Sequence, residues 1–383
     1  MMSSAKGTVF ALVLGAATVS LGVYVGFAMR SSSAGTGKLE QRLIAAPRKE
    51  PMMTMGPSKQ GDALSAPLAS VLTAQNWLNT QPLRPEELRG KVVLVNFWTF
   101  TCVNWLRTLP YVRAWAEKYK DRGLIVIGVH TPEFNVEKDF ANVTRASAAL
   151  GVGYPVATDN DYAIWRAFDN YAWPASYFVD AAGRVRHRIL GEGSYDKAEQ
   201  WIQELLSEAD GAPVPAGLVA VTPEGPSVAA DEENLESPES YVGHAKARGF
   251  TSAGGIREDI PSLYRSPAML PLNSWGLSGV WTVGGEFATL SDKSGTITYR
   301  FHARDVNLVL VPPAEGKTVR FRVKIDGAPP AADRGTDVAA DGSGVVQEPR
   351  LYQLVRQKRP VADRTFEIEF LDPGVRAYVF TFG

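Results

Sequence analysis

The chain has almost no cysteine. Cys102 stands alone among 383 residues, so no intramolecular disulfide can form and no internal pair of thiols can carry out a redox cycle. Net charge is equally scarce, because 40 Lys and Arg are set against 41 Asp and Glu and neither sign is gathered into a block. A chain without a basic patch offers no footprint for a phosphate backbone, which sets nucleic acid aside as a partner. Internal repeats are absent, and with 45% apolar and 21% charged residues the composition leaves no room for extensive disorder outside linkers.

The length exceeds what one hydrophobic core usually serves, so two domains with tethers are expected. Residues 1–30 read as a signal anchor, because the uncharged run from Gly7 to Met29 is long enough to cross a bilayer and no small-x-small cleavage site is clear before Arg30. Charge does not orient it: Arg30, Lys38 and Arg42 follow the apolar run, where the positive-inside rule gives no support for export. Residues 31–64, rich in Ser, Gly, Pro and Met, suit a tether. Met52, Met53 and Met55 are read there as linker composition rather than a copper(I) site.

From residue 65 to 210 strands and helices alternate, the pattern of an α/β domain around a central sheet. VVLVNFW (92–98) predicts a fully buried strand, and Leu106, Leu109, Val112 and Trp115 predict a helix over 103–121. Further helices are predicted over 136–150, 162–168 and 195–209, and further strands over 124–129, 154–158, 176–180 and 185–190. Residues 211–236 read as a second linker, with an independently folding all-β sandwich over 237–383. There Val319, Phe321, Val323 and Ile325 alternate with Arg320, Arg322 and Lys324, while Phe366, Ile368 and Phe370 alternate with Glu367 and Glu369. Ile297, Tyr299 and Phe301 repeat the pattern.

Cys102 lies where the buried strand gives way to the helix. A sulfur at that position faces unpaired N–H groups and the positive end of the helix dipole, which favours the thiolate that attacks disulfides and peroxides. The segment KVVLVNFWTFTCVNWLRTLP resembles the active-site segment of thioredoxin-fold oxidoreductases, above all the membrane-tethered redoxins of the TlpA and DipZ type. Trp173-Pro174 resembles that family's cis-proline loop, and Pro110 sits where its active-site helix carries a proline. The ending DRTFEIEFLDPGVRAYVFTFG is similar to the domain that follows the redoxin domain in DipZ-type proteins.

Two departures limit what the resemblance implies. The family's second active-site cysteine is Trp105 here, and the buried acid often found before its Phe-Trp pair is Asn96. The two changes agree, since a proton acceptor for a resolving thiol is unnecessary without that thiol. Trp105 is read both as a packing residue and as a cover over the thiol, grouped with Trp173 and Pro174 as substrate-binding. Asn96, Trp98, Thr99, Thr101 and Pro110 support Cys102, the expected nucleophile. Thr99 gives the Thr-x-x-Cys spacing of peroxiredoxins, but Val95 replaces their proline and no arginine flanks Trp173-Pro174. His130 reads as a satisfied structural histidine and Arg107 as a solvated helix residue.

The resemblance implies a thioredoxin fold followed by a jelly-roll sandwich like a carbohydrate-binding module, with the globular part in the periplasm behind a single-pass anchor. Trp275 and Trp281 are candidate platforms for a sugar ring, core packing being the plainer account. Asp333, Asp337 and Asp341 are read as turn formers rather than calcium ligands. The expected activity is thiol-disulfide exchange by one cysteine through mixed disulfides, with an external thiol completing each cycle and no metal or cofactor. A one-cysteine peroxidase and a binding protein without turnover are the alternatives. The expected partners are a thiol- or disulfide-containing protein or small thiol, the membrane, and carbohydrate at the second domain.

Overall fold

The computed structural model describes residues 64–214 and 217–383. The apolar run at 7–29 and the methionines at 52, 53 and 55 lie outside the described residues, among which no helix is long and apolar enough to cross a membrane.

The first half runs α1 (Ala66–Val71), β1 (Trp77–Leu78), α2 (Pro85–Leu88), β2 (Val92–Trp98), α3 (Val103–Tyr119), β3 (Leu124–His130), α4 (Phe140–Ala149), β4 (Val156–Thr158), α5 (Ala163–Ala167), β5 (Ala175–Val179), β6 (Val185–Leu190) and α6 (Tyr195–Asp210). The sheet order is β1-β4-β3-β2-β5-β6. Strands β2, β3 and β4 are parallel, and β1, β5 and β6 run against their neighbours. β2 is apolar throughout because it is covered on both faces. Val92, Leu94 and Trp98 enter one core with α3 and α6, while Val93, Val95 and Phe97 enter another with α1 and α5. Asn96 therefore shares its face with the α3 side. The helix expected over 136–150 is divided in two, a 3-10 turn Asn135–Lys138 and then α4. Asp139 causes the break, since its side chain accepts the Ala141 N–H and starts a new helix.

The second half is antiparallel throughout: β7 (Ser240–Tyr241), β8 (Ser262–Tyr264), β9 (Ser274–Val283), β10 (Ala288–Leu290), β11 (Gly295–Phe301), β12 (Asp305–Val311), β13 (Val319–Ile325), β14 (Ser343–Val346), β15 (Arg350–Arg356), β16 (Arg364–Phe370) and β17 (Arg376–Phe382). β9 belongs to both layers. Its first half pairs with β11, and from Gly279 onward it pairs with β8 and β10. Gly279 has φ of +101°, a conformation that L side chains rarely adopt, and this turns one strand between two sheets and closes the sandwich along one side as a half-barrel. The predicted alternation holds in β11, β13 and β16, whose apolar members are buried in the layer between the sheets.

Trp275 and Trp281 pack in the core, the plainer of the two accounts expected of them. Both are 0% exposed, with indole N–H groups donating to the Arg248 and Ser278 carbonyls, so neither presents a ring to a sugar. Asp333, Asp337 and Asp341 are each engaged locally, with the Lys358 N–H, the Arg350 guanidinium and the Ser343 N–H respectively.

The halves share a core. Val309, Val311, Leu351, Tyr378 and Val379 lie in the same core as Trp98, Trp105 and Leu106 of the first half. β12 is buried at all seven positions because its outer face meets that half. The connecting segment is held as well: Val219 N–H donates to Glu199, while Gly225 and Ala229 carbonyls accept from Arg356 and Arg304.

Candidate functional site

Cys102 is the N-cap residue of α3. Its N–H donates to the Thr99 carbonyl at 3.2 Å and its own carbonyl accepts from the Leu106 N–H at 3.0 Å. The residue is half-buried. Its Sγ lies 3.8 Å from the carbonyl oxygen of Trp173, to which the S–H donates. The Trp173-Pro174 bond is cis, and the Trp173 indole N–H donates to the Thr131 carbonyl at 3.0 Å, which fixes this loop to the end of β3. The expected juxtaposition of thiol and proline loop is thus present.

Asn96 and Trp105, the two departures, touch. The Trp105 indole N–H donates to Asn96 Oδ1 at 2.9 Å, and Asn96 Nδ2 donates to Ser176 Oγ at 3.1 Å and to the Ala175 carbonyl at 3.3 Å. Trp105 is fully buried and stacks on Trp98 with ring centroids 4.2 Å apart. It is a packing residue, which corrects its placement among the groups that meet substrate. An indole fills the place of a small thiol, and the amide below it supplies the acceptor the indole requires. Pro110 lies within α3 without interrupting it, leaving only the Leu106 carbonyl without its usual helical donor.

Thr99 and Thr101 are buried on the loop before Cys102. The Thr101 hydroxyl donates to Glu137 Oε1 at 2.5 Å, and Glu137 Oε2 accepts the N–H groups of Glu133 at 2.6 Å and Phe134 at 2.9 Å. Burial outweighs these bonds and pushes the Glu137 carboxyl up to about 7. His130 is packed against Trp98 and Phe100, and burial holds it neutral, near 3. Its ring nitrogens have no protein partner, so it is structural without being satisfied. Arg107 is not solvated. Its side chain is 3% exposed, pairs with Glu192 at 2.8 Å and donates to the Phe382 carbonyl of β17 at 3.3 Å.

The second domain reaches the thiol's surroundings. The Tyr241 hydroxyl lies 2.6 Å from Glu133 Oε1 and 3.0 Å from Glu239 Oε2, and Lys246 pairs with Glu133 at 3.2 Å. A hydroxyl has one proton, so it serves both carboxylates fully only when one of them is itself protonated. The protein surrounding Glu239, together with the like charge of Glu133, pushes it up to about 7, although it faces solvent on the rim. These groups correct the thiolate expectation. Burial first, then the carboxylates of Glu239 and Glu133, push the Cys102 thiol well above its ordinary range; the N–H groups of Trp105 and Asn104 act the other way without prevailing. Glu133, Glu239 and Tyr241 were not legible as site residues, because only the closure of the two halves brings them together. Four residues apart, Glu133 and Glu137 gave a faint local signal.

Residues 60–202 match the Redoxin family model, and residues 237–383 match that of the thioredoxin-like C-terminal domain. The DipZ proteins of Mycobacterium bovis and Mycobacterium tuberculosis are 36% identical over 311 residues, covering 80% of this chain and 41% of theirs. The chain therefore spans about two-fifths of the length of those relatives. The thiol-disulfide oxidoreductase YkuV of Bacillus subtilis is 28% identical over 147 residues, 38% of this chain and 99% of that protein. A solution structure of a thioredoxin-like protein in its oxidised form is 30% identical, covering 35% of this chain and 90% of that one, with a TM-score of 0.33.

Proposed function

The chain belongs to the redoxin proteins of thioredoxin fold that carry a thioredoxin-like C-terminal domain, and on that premise we propose that it is a thiol-disulfide oxidoreductase working through Cys102 alone. One observation carries this reading: the thiol of a half-buried cysteine at a helix N-cap, 3.8 Å from the backbone carbonyl that precedes Pro174. Cys102 attacks a disulfide, one sulfur of which joins it while the other leaves as a thiol carrying the proton Cys102 gives up. The Trp173-Pro174 backbone lies along the extended substrate, and a second, external thiol then releases Cys102. Internal release has no candidate, because Cys102 is the one cysteine of the chain. Peroxide reduction fits less well, since the charges that bear on the thiol are two carboxylates and peroxide activation calls for a cation. Incubation with 2-hydroxyethyl disulfide should give one adduct by intact mass, reversed by dithiothreitol and absent in Cys102→Ser. No adduct on folded protein would overturn the proposal.

A binding protein that keeps the fold without turnover is the second reading, favoured by the raised thiol. Sluggish alkylation together with disulfide exchange no faster than that of free cysteine would select it.

We propose a membrane anchor at 1–30, on the strength of the uncharged run at 7–29, and place residues 65–383 outside the cytoplasm on the resemblance to membrane-tethered redoxins. Protease added to spheroplasts should digest the globular part, and full protection would refute this placement.

A further inference from the structure

We infer that Glu239, brought to the thiol by the second domain, sets substrate specificity, so that Cys102 exchanges preferentially with disulfides carrying a positive charge near the sulfur under attack. This rests on the exchange reading above. Glu239 is exposed on the rim and therefore open to an approaching molecule, while Glu133 behind it is mostly covered. The hydroxyl of Tyr241 ties the two carboxylates together across the joint between the domains. On the first domain the same rim is tied to the nucleophile's own loop, because Glu137 accepts from Thr101, one residue before Cys102, and from the Glu133 N–H.

Attack concentrates negative charge on Cys102 and then on the departing sulfur. Glu133 and Glu239 both oppose that charge, and Lys246, paired with Glu133 and also bearing on Glu239, sets one cation against two carboxylates. A cation on the substrate supplies the missing compensation during encounter and during bond exchange, whereas an anionic substrate adds to the repulsion. The reaction balances without an added oxidant: Cys102–SH and R–S–S–R′ give Cys102–S–S–R and R′–SH, the disulfide being reduced as the thiol is oxidised.

The preference should depend on pH. Facing this corner are Glu133 and Glu137 from the loop after β3, Glu239, Tyr241 and Lys246 around β7, Glu286 through Asn135, Tyr162 before α5, and Tyr378 of β17. The surrounding protein and the like charge of Glu133 hold Glu239 above the ordinary carboxylate range, so its charge, and with it the preference, declines as pH falls below neutrality.

Methanethiosulfonates bearing trimethylammonioethyl, methyl or sulfonatoethyl groups provide the test. Each transfers its thio group to Cys102 and releases methanesulfinate, so the charge preference is read even if ordinary disulfide exchange fails. Rates on the full chain at pH 8 and low salt, each divided by the rate with N-acetylcysteine amide, should favour the cationic over the anionic reagent about tenfold or more. Glu239→Gln should shrink that ratio several-fold, 0.5 M salt should compress it, and Lys246→Met should widen it. Equal normalised rates for the three reagents, or a ratio unchanged in folded Glu239→Gln, would overturn the inference. A preserved ratio with no adduct from 2-hydroxyethyl disulfide would instead overturn the exchange reading and leave a charge-selective thiol.

Discussion

Trp105 and Arg107 stand two residues apart on α3 and both are buried, yet they close different joints. Trp105 turns inward, stacks on Trp98 and gives its N–H to Asn96, all within the first domain. Arg107 turns outward to Glu192 and then to the Phe382 carbonyl, 275 residues further along the chain. One residue serves packing within the first domain. The other makes the helix that begins after Cys102 part of the domain joint. The site of a single-cysteine redoxin is therefore held from two sides, and only one of them resembles a thioredoxin.

Breaking the inward side should have the largest effect. Trp105→Ala removes a fully buried indole and leaves Asn96 Oδ1 without its donor, for an expected loss of about 4 kcal/mol. Urea denaturation followed by circular dichroism measures it; a loss near zero would mean that the cavity is filled by movement of α3.

Glu137 sharpens the comparison, being buried like Arg107 but without a counter-ion. Its carboxyl passes from 4.5, its ordinary value, to about 7 in the fold, so the folded state holds the proton more tightly. That contribution is complete below about pH 4.5 and is lost as pH rises through about 7, an expected decline of about 3 kcal/mol over that window. Glu137→Gln should flatten the stability profile between pH 5 and pH 8 relative to the wild type. Parallel profiles would show that Glu137 is ionised throughout.

Breaking the outward side should cost less. Arg107→Met keeps most of the buried stem and leaves Glu192 able to turn to solvent, so about 2 kcal/mol is expected. The loss should also loosen the joint and speed proteolysis in residues 211–236, which Trp105→Phe should not do. Equal cleavage rates in both variants would erase the distinction between the two sides.

What was legible in the sequence follows the same division. The strand at 92–98, the helix after Cys102 and the alternation in β11, β13 and β16 depend on near neighbours and on burial within one layer, and they were read correctly. That Trp105 and Asn96 change together was legible as chemistry, though not as a hydrogen bond. Arg107 was misread and Glu239 missed, because side-chain type alone does not say what a distant segment will cover. One clue was available. LVLV (308–311) breaks the alternation begun by Asp305 and Asn307 and is apolar on both faces, where a strand of a free-standing sandwich should stay polar outside; it indicated that something covers both faces there.

The bond from Arg107 to Phe382 also bears on the order in which the protein can be made. At about 5–20 residues per second, a ribosome that has delivered Arg107 needs roughly 15 to 55 s to deliver the partner 275 residues later. The first domain can form its sheet within that interval, and Glu192 and residues 225–227 reach α3 earlier, but the bond of Arg107 to β17 is made only at the end. The nascent chain therefore presents a formed first domain with one face left incomplete until its last strand is made.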